Sequence, residues 1–344
     1  VAGIGSALPP AVDHEALWDG FFAQHYGHDR VAEKIWAGAG ITTRHAAVDP
    51  RVTDVSGWDT GTRMRRYLRE AAPLGTRAAA AALADAGVSP AEVGLLAVVS
   101  CTGYVTPGLD VVVARELGLP ADTQRLLIGH MGCYAALPGL GAAADFVASR
   151  GRAALLLCVE LPSLHLQPPT TERDQMVAHA LFGDAAAAAV LVPAPGAGLA
   201  VLDVTARTGD AATSGQMTWD VTATGFRMGL SPRVPAELAR HVGPLVEELL
   251  TRHSLGVSDV AGWAVHPGGR RILEVVSDEL ALPVAAMEPS YAVLRDVGNC
   301  SSATVLLVID RLRAAGAVGP GDHLVALAFG PGLTLYASLL RRSR

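Results

Sequence analysis

The chain has 344 residues, half of them hydrophobic and 17% charged, with 27 basic groups against 33 acidic ones. Such a composition is globular, and the length holds two structural units or one duplicated fold, which excludes a small stapled scaffold. A formal net charge of −6 with no Lys/Arg block excludes broad contact with a nucleic-acid backbone, which needs a clustered basic footprint.

Taken in chain order, the first 70 residues are rich in His, Asp and Arg and read as a peripheral insertion. Beyond them the chain repeats itself. The segment AALADAGVSPAEVGLLAVVSCTG (Ala81 to Gly103) has the layout of ELLTRHSLGVSDVAGWAVHPGG (Glu248 to Gly269): a helix end, a Gly-Val-Ser turn, a nearby acidic residue, a buried strand and a glycine-bearing turn. The pairs Val88-Ser89 and Val257-Ser258 are 169 residues apart. Gly132-Cys133 and Gly298-Asn299, each followed by a small-residue helix, are 166 apart. The strands opened by Gly151 (RAALLLCVE) and Gly321 (DHLVALAFG) are 170 apart. Three landmarks in one order at nearly one offset predict a duplicated α/β fold. Its halves, 1–195 and 196–344, meet at the loop Pro193 to Gly198 (PAPGAG). Apolar runs of five to eight residues predict strands buried on both faces. A pseudo-twofold axis would stack the two sheets, with helices between and outside, and bring equivalent turns together at the centre. The run from Ala185 to Val192 stops at Pro193 after eight residues, against about 20 needed to span a bilayer, so no membrane segment is expected. The chain begins at Val1, not Met, so it is expected to start inside a longer native one, and it reads as cytoplasmic.

Four cysteines, Cys101, Cys133, Cys158 and Cys300, lie 25 or more residues apart with no C-x-x-C pair and no zinc-ligand spacing, so no metal is expected and the thiols suit a reduced compartment. The residues after Cys133 favour a helix. Its sulfur is therefore expected at a helix N-terminus, where the dipole and free N–H groups lower a thiol pKa. His266 ends a buried apolar strand and is followed by Pro-Gly-Gly, a turn whose bare backbone lets another group approach. Asn299 opens a helix at the repeat-mate of Cys133, as an N-cap or as something more. Duplication aims Cys133 and Asn299 at the pseudo-twofold axis, and with His266 they make a nucleophile, a base and an oxyanion donor.

At this point the chain resembles the type III polyketide synthases, the chalcone-synthase-like branch of the thiolase superfamily. The matching stretches are Gly132-Cys133 with its helix, Ala180-Leu-Phe-Gly-Asp184, Val265-His-Pro-Gly-Gly269, Gly298-Asn-Cys-Ser-Ser302 and Phe329-Gly-Pro-Gly-Leu-Thr334. The resemblance implies a thiolase-like αβαβα fold in two pseudo-twofold halves. It implies that Cys133 carries the acyl starter and growing chain. His266 and Asn299 would stabilise the enolate formed when malonyl-CoA loses carbon dioxide, and His266 would keep Cys133 ionised. Phe182 and Phe226 match the gatekeepers between the CoA tunnel and the cavity, and Gly330-Pro331 a loop that shapes it. Cys101, Thr102, Pro162, His165 and Met217 fall at cavity positions, the last two larger than in plant relatives, which implies a small or narrow product. Thr106 matches a position that reaches across a homodimer. No metal or redox cofactor is implied; malonyl-CoA and an acyl-CoA are substrates.

The family grips CoA phosphates with basic residues near the N-terminus. Here only Lys34 falls on such a position, with Val31 and Gly38 at the other two, so Arg270 and Arg271 beside Gly268 and Gly269 are expected to supply the charge. The rival readings are a ketoacyl-ACP synthase III-like enzyme that condenses once on a carrier protein, and a silent partner on the same fold. The Leu-Phe-Gly-Asp and Gly-Pro-Gly-Leu-Thr runs favour the iterative polyketide enzyme.

Overall fold

The computed structural model describes residues 1–194, 196 and 198–343. Strand β1 (Gly3–Ala7) opens the chain, followed by an excursion of β2 (Ala11–Asp13), α1 (His14–Leu17), α2 (Ala23–His25), α3 (Arg30–Ala37) and β3 (Thr43–His45). The first half continues through α4 (Thr60–Ala86), β4 (Val93–Ser100), α5 (Leu109–Glu116), β5 (Gln124–Gly129), α6 (Ala136–Arg150), β6 (Ala153–Glu160), α7 (Arg173–Leu181) and β7 (Ala185–Leu191). Its sheet has the order β1-β7-β6-β4-β5. β4 runs parallel to β5 and β6, while β7 is antiparallel to both β6 and β1.

The second half holds β8 (Leu199–Thr208), the hairpin β9 (Met217–Thr222) and β10 (Gly225–Leu230), α8 (Val234–Thr251), β11 (Val260–Val265), α9 (Arg270–Glu279), α10 (Val284–Val297), α11 (Ala303–Ala314), β12 (His323–Gly330) and β13 (Thr334–Arg342). Its sheet, β11-β12-β13-β8, repeats the first: a parallel pair, then two antiparallel strands. Ala188 of β7 faces Leu157 and Gly5, as Ser338 of β13 faces Ala326 and Val204. Even the irregularity after the first residue of β4 recurs in β11. Among the described residues the second half has no counterpart of β5; there the chain runs from α9 directly into α10.

Alternation along the strands explains the layers. In β6, Leu155, Leu157 and Val159 face the outer core under α4, while Ala154, Leu156 and Cys158 join the inner core with Leu137 and Leu140 of α6 and Val305 and Leu306 of α11. Helices α6 and α11 lie between the sheets, α4 covers one and α8 the other, which gives the αβαβα order. Each leucine buried this way contributes on the order of 1.5–3 kcal/mol.

Two expectations are corrected. The N-terminal region is not wholly peripheral, because β1 is a strand of the main sheet and α4, from Thr60, packs on it. A Cβ at Gly3 or Gly5 would lie 2.4 or 2.3 Å from backbone nitrogens of α4, so this strand needs glycine to lie on its helix. Nor is β5 buried on both faces: it is an edge strand, with Leu126 and Leu127 39% and 47% exposed. Part of the expected seam, Pro195 and Ala197, lies outside the described residues, between the end of β7 and the start of β8. Among the described residues no helix is long and apolar enough to cross a membrane.

Candidate active site

Three turns at the ends of parallel strands and helices bring the predicted residues together. After β5 the chain passes through His130 (φ 57°) and Gly132 (φ 78°) into one 3-10 turn, Gly132–Tyr134, that carries Cys133 to the start of α6. Beyond β11, the His266 N–H donates to Leu327 O at 2.8 Å, so the ring leaves the strand end at a fixed height before the Pro-Gly-Gly turn. Helix α10 ends at Gly298 (φ 84°), and Asn299 bridges to the Phe182 segment: its N–H donates to Leu181 O at 2.9 Å and its carbonyl accepts from Gly183 N at 3.0 Å. Cys133, His266 and Asn299 are 6%, 1% and 2% exposed and line one cavity of about 600 Å³.

The Asn299 amide is oriented. Its Oδ1 accepts from Ser301 N at 2.9 Å, and Nδ2 makes a long 3.4 Å bond to Gly268 O. Asn299 is therefore not the N-cap of α11, a place taken by Ser302. Ser301 adopts a left-handed φ of 48°, which costs a non-glycine residue on the order of 1 kcal/mol. Its hydroxyl lies 3.3 Å from the Cys101 sulfur.

Among the described residues neither ring nitrogen of His266 has a hydrogen-bond partner, and burial pushes the imidazole down to about 3. Burial likewise pushes the Cys133 thiol up to about 12, with the nearby Glu160 carboxylate adding to it and the Ser301 and Asn299 side chains offsetting part. This reverses the lowered thiol pKa expected from the helix start.

Sequence reasoning missed Glu160. It ends β6, fully buried, and accepts from Thr102 Oγ1 at 2.7 Å, Ser302 Oγ at 2.6 Å and Cys101 N at 3.1 Å. Burial raises its pKa against these donors. The available signal was one acid closing an otherwise apolar eight-residue strand. Arg44 was missed too: buried, with its guanidinium 4.5 Å over the Trp36 ring, it donates through Nη1 to Phe182 O at 2.9 Å and so fixes the backbone that Asn299 bridges.

Two smaller cavities adjoin the first. Cys101, Thr102, Pro162, Phe182 and Pro331 meet Cys133 around one of about 20 Å³. His165 and Phe226 lie farther back, around one of about 70 Å³, stacked at 4.6 Å. Only Phe182 of the expected gatekeeper pair lines the large cavity, because the stack on His165 holds Phe226 behind it. Met217 lines the large cavity, and Gly330 packs so closely that a Cβ there would lie 3.2 Å from Cys133 N. Thr106 is exposed and lines none of the three. At the mouth of the large cavity are Gly268, Gly269, Arg270 and Arg271, with Arg173, which sequence reasoning did not single out. Lys34 is exposed on α3 but outside that lining, which takes Val31, Ile35 and Gly38 from the same segment.

The buried histidines set an acid limit on the fold. His165 is pushed down to about 4, His266 to about 3 and His179 well below its ordinary value, all by desolvation, and His14 and His25 are lowered as well. A depressed imidazole takes its proton later in the folded chain than in the unfolded one. Its contribution is complete above pH 6.5 and is lost as the pH falls towards 4 and 3, at about 1.4 kcal/mol per pH unit for each fully buried ring. Asp184, pushed up to about 6, and Glu160 act oppositely; their contribution is present below the ordinary carboxylate range and lost as the pH rises. With the histidines in the majority, the thermal midpoint is expected to fall by roughly 5 °C or more between pH 7 and pH 5. A flat midpoint in calorimetry across that range would show that these rings are not held neutral.

The family model for the N-terminal domain of chalcone and stilbene synthases matches residues 2–195, and that for their C-terminal domain residues 203–343. The 1,3,6,8-tetrahydroxynaphthalene synthase of Streptomyces peucetius subsp. caesius is 34% identical over 351 aligned positions, covering 99% of this chain and 92% of its own. The alpha-pyrone synthesis polyketide synthase-like Pks18 of Mycobacterium tuberculosis is 33% identical, covering 90% of this chain and 85% of its own. The crystal structure of 1,3,6,8-tetrahydroxynaphthalene synthase from Streptomyces coelicolor A3(2), a bacterial type III polyketide synthase, superposes with a TM-score of 0.93 at 29% identity, covering 100% of this chain and 99% of that one.

Proposed function

Because the chain belongs to the chalcone and stilbene synthase family and is a type III polyketide synthase, we propose that Cys133, His266 and Asn299 extend an acyl starter with malonyl-CoA by decarboxylative Claisen condensation. The chain then closes to a small aromatic or pyrone product. The observation that carries the residue assignment is the pair of buried, unpartnered His266 nitrogens in the cavity shared with Cys133 and Asn299.

With the thiol near 12 and the imidazole near 3, both are neutral while the site is empty, and a neutral imidazole is the form able to accept a proton. As the Cys133 sulfur attacks the starter thioester, His266 takes the thiol proton and returns it to the departing CoA thiolate. Malonyl-CoA then enters and loses carbon dioxide, and the electron pair released becomes an enolate. Asn299 Nδ2 and the His266 N–H donate to its oxygen; both are neutral donors, too weak as acids to quench the carbanion. The enolate carbon attacks the Cys133 thioester, the sulfur leaves as the thiolate, and the lengthened chain is again a CoA thioester. That thiolate attacks it to reload Cys133 for the next round, releasing a CoA thiolate, or after the last round takes a proton from water. Decarboxylation supplies the carbanion, so the proposed chemistry calls for no metal or redox cofactor.

Arg270 and Arg271 are assigned to the CoA phosphates with Arg173 and, more distantly, Lys34. Both Arg270 and Arg271 are two-thirds exposed and share Glu274 as partner, at 3.2 and 3.1 Å. We also assign a homodimer, formed through the exposed β5 edge with Thr106 reaching the partner's cavity, and a cytoplasmic setting that keeps the four free thiols reduced.

The test is mass spectrometry of the protein with malonyl-CoA, alone and with short, aromatic and long acyl-CoAs. Expected are an adduct on Cys133 and an oligoketide product, with the Arg270→Ala, Arg271→Ala double variant raising the malonyl-CoA KM roughly fivefold to tenfold at similar kcat. Acylated Cys133 without product from any CoA extender would point to a carrier-protein substrate, and no adduct at all to a silent partner. An unchanged KM would remove the two arginines from CoA binding.

A further inference from the structure

Trp219, which neither the sequence motifs nor the proposed chemistry accounts for, lines the small cavity at Cys133. It sits in the β9–β10 hairpin, and its Nε1–H donates to the Cys101 carbonyl oxygen at 2.7 Å. The indole stands edge-on to His165 and Phe226, at 76° and 82° with ring centroids 5.6 and 6.2 Å apart. His165 behind it is itself locked, with Nε2 donating to Thr102 O at 2.6 Å and Nδ1 accepting from Phe226 N at 2.9 Å. The indole is thus held in place from two sides.

The ring lines both the 20 Å³ cavity, which it shares with Cys133, and the 70 Å³ chamber, which it shares with His165 and Phe226. The smaller holds about one water-sized group; the larger holds a few more. Four residues, Pro162, Phe182, Trp219 and Met228, line both spaces. Pro162 and Phe182 are tied into backbone that the site needs, Met228 is thin and flexible, and Trp219 is the bulk that remains. We propose that Trp219 is a product-size-determining partition, which keeps the chamber beyond the small cavity closed to the acyl chain on Cys133. This rests on Cys133 being the acyl carrier.

The chamber has a chemical preference as well as a volume. Arg44, which lines it, has Nε and Nη2 buried without hydrogen-bond partners among the described residues. A polyketide carries a carbonyl on alternate carbons and brings acceptors to them, whereas a saturated tail leaves them unpaired. Opening the partition therefore favours an added ketide unit over a long aliphatic starter.

The experiment compares the wild type with Trp219→Ala and Trp219→Phe. Intact-protein mass spectrometry follows Cys133 loading from acyl-CoAs of increasing bulk, and product masses are read with malonyl-CoA. Trp219→Ala is expected to load acyl groups at and beyond the wild-type size limit roughly tenfold faster or more, and to release products at least one ketide unit longer. Trp219→Phe shifts the limit in the same direction by less, and it carries the test if the alanine variant does not fold. Normal loading with an unchanged size limit and unchanged product masses overturns this proposal alone, since a merely structural tryptophan lowers turnover without moving either. No adduct on any wild-type or variant protein overturns the assignment of Cys133, and this proposal with it.

Discussion

Replacing Cys133 with alanine is expected to abolish the acyl adduct and reduce condensation by at least about 10⁴-fold, while malonyl-CoA decarboxylation continues within roughly tenfold of wild type. The separation follows from the geometry. Decarboxylation draws on Asn299 and His266, which keep their positions without the sulfur, because Asn299 is held by Ser301 N and by the Phe182 segment and His266 by Leu327 O. Cys101 does not substitute. Its sulfur contacts the Glu160 carboxylate at 3.4 Å, and burial with that charge raises the thiol well above its ordinary pKa. It lines only the small cavity, whereas Cys133 lines the large one as well. Intact mass and assay of the decarboxylated thioester check both halves. An adduct persisting in Cys133→Ala and vanishing in Cys101→Ser would transfer the nucleophile's role to Cys101.

The duplication was legible because it rests on local features that repeat: capped turns before β4 and β11, largely apolar strands, and glycines ending α10 and opening the Cys133 turn. Strand β1 was not, since GIGSA lacks β-branched bulk apart from Ile4, and its glycines are explained only by the closeness of α4. The three proposed catalytic positions came from the repeat and from the motifs that carry the family resemblance, but the electrostatics of Cys133 did not. A helix dipole is worth about 0.3–1 kcal/mol. Burial that moves a thiol from 9.0 to about 12 amounts to about 4 kcal/mol, so desolvation wins. Trp219 and Arg44 were invisible for a related reason. Each acts on the site through a contact more than 100 residues away in the chain, Cys101 for one and Phe182 for the other, and no local pattern encodes that.

Asn299→Ala has the opposite signature to the cysteine variant. The Cys133 adduct is expected to form, and malonyl-CoA decarboxylation to fall about 10²- to 10³-fold, as for removal of one oxyanion donor. The backbone bridge between Asn299 and the Phe182 segment needs no side chain, so the loss is expected without a large change in thermal midpoint. Asn299→Asp is the sharper variant, because it keeps the Ser301 N bond through a carboxylate oxygen yet places a negative charge where the enolate oxygen develops. It should decarboxylate no faster than the alanine variant. Activity retained in Asn299→Asp would mean that the residue positions the loop and does not touch the enolate. The two single variants also cannot rescue one another when mixed. Cys133 comes from the first half of the chain and Asn299 from the second, and they meet in one cavity of the same molecule. An enolate formed in a Cys133→Ala molecule has no acyl sulfur beside it, and once protonated there it is no longer a nucleophile for any other copy.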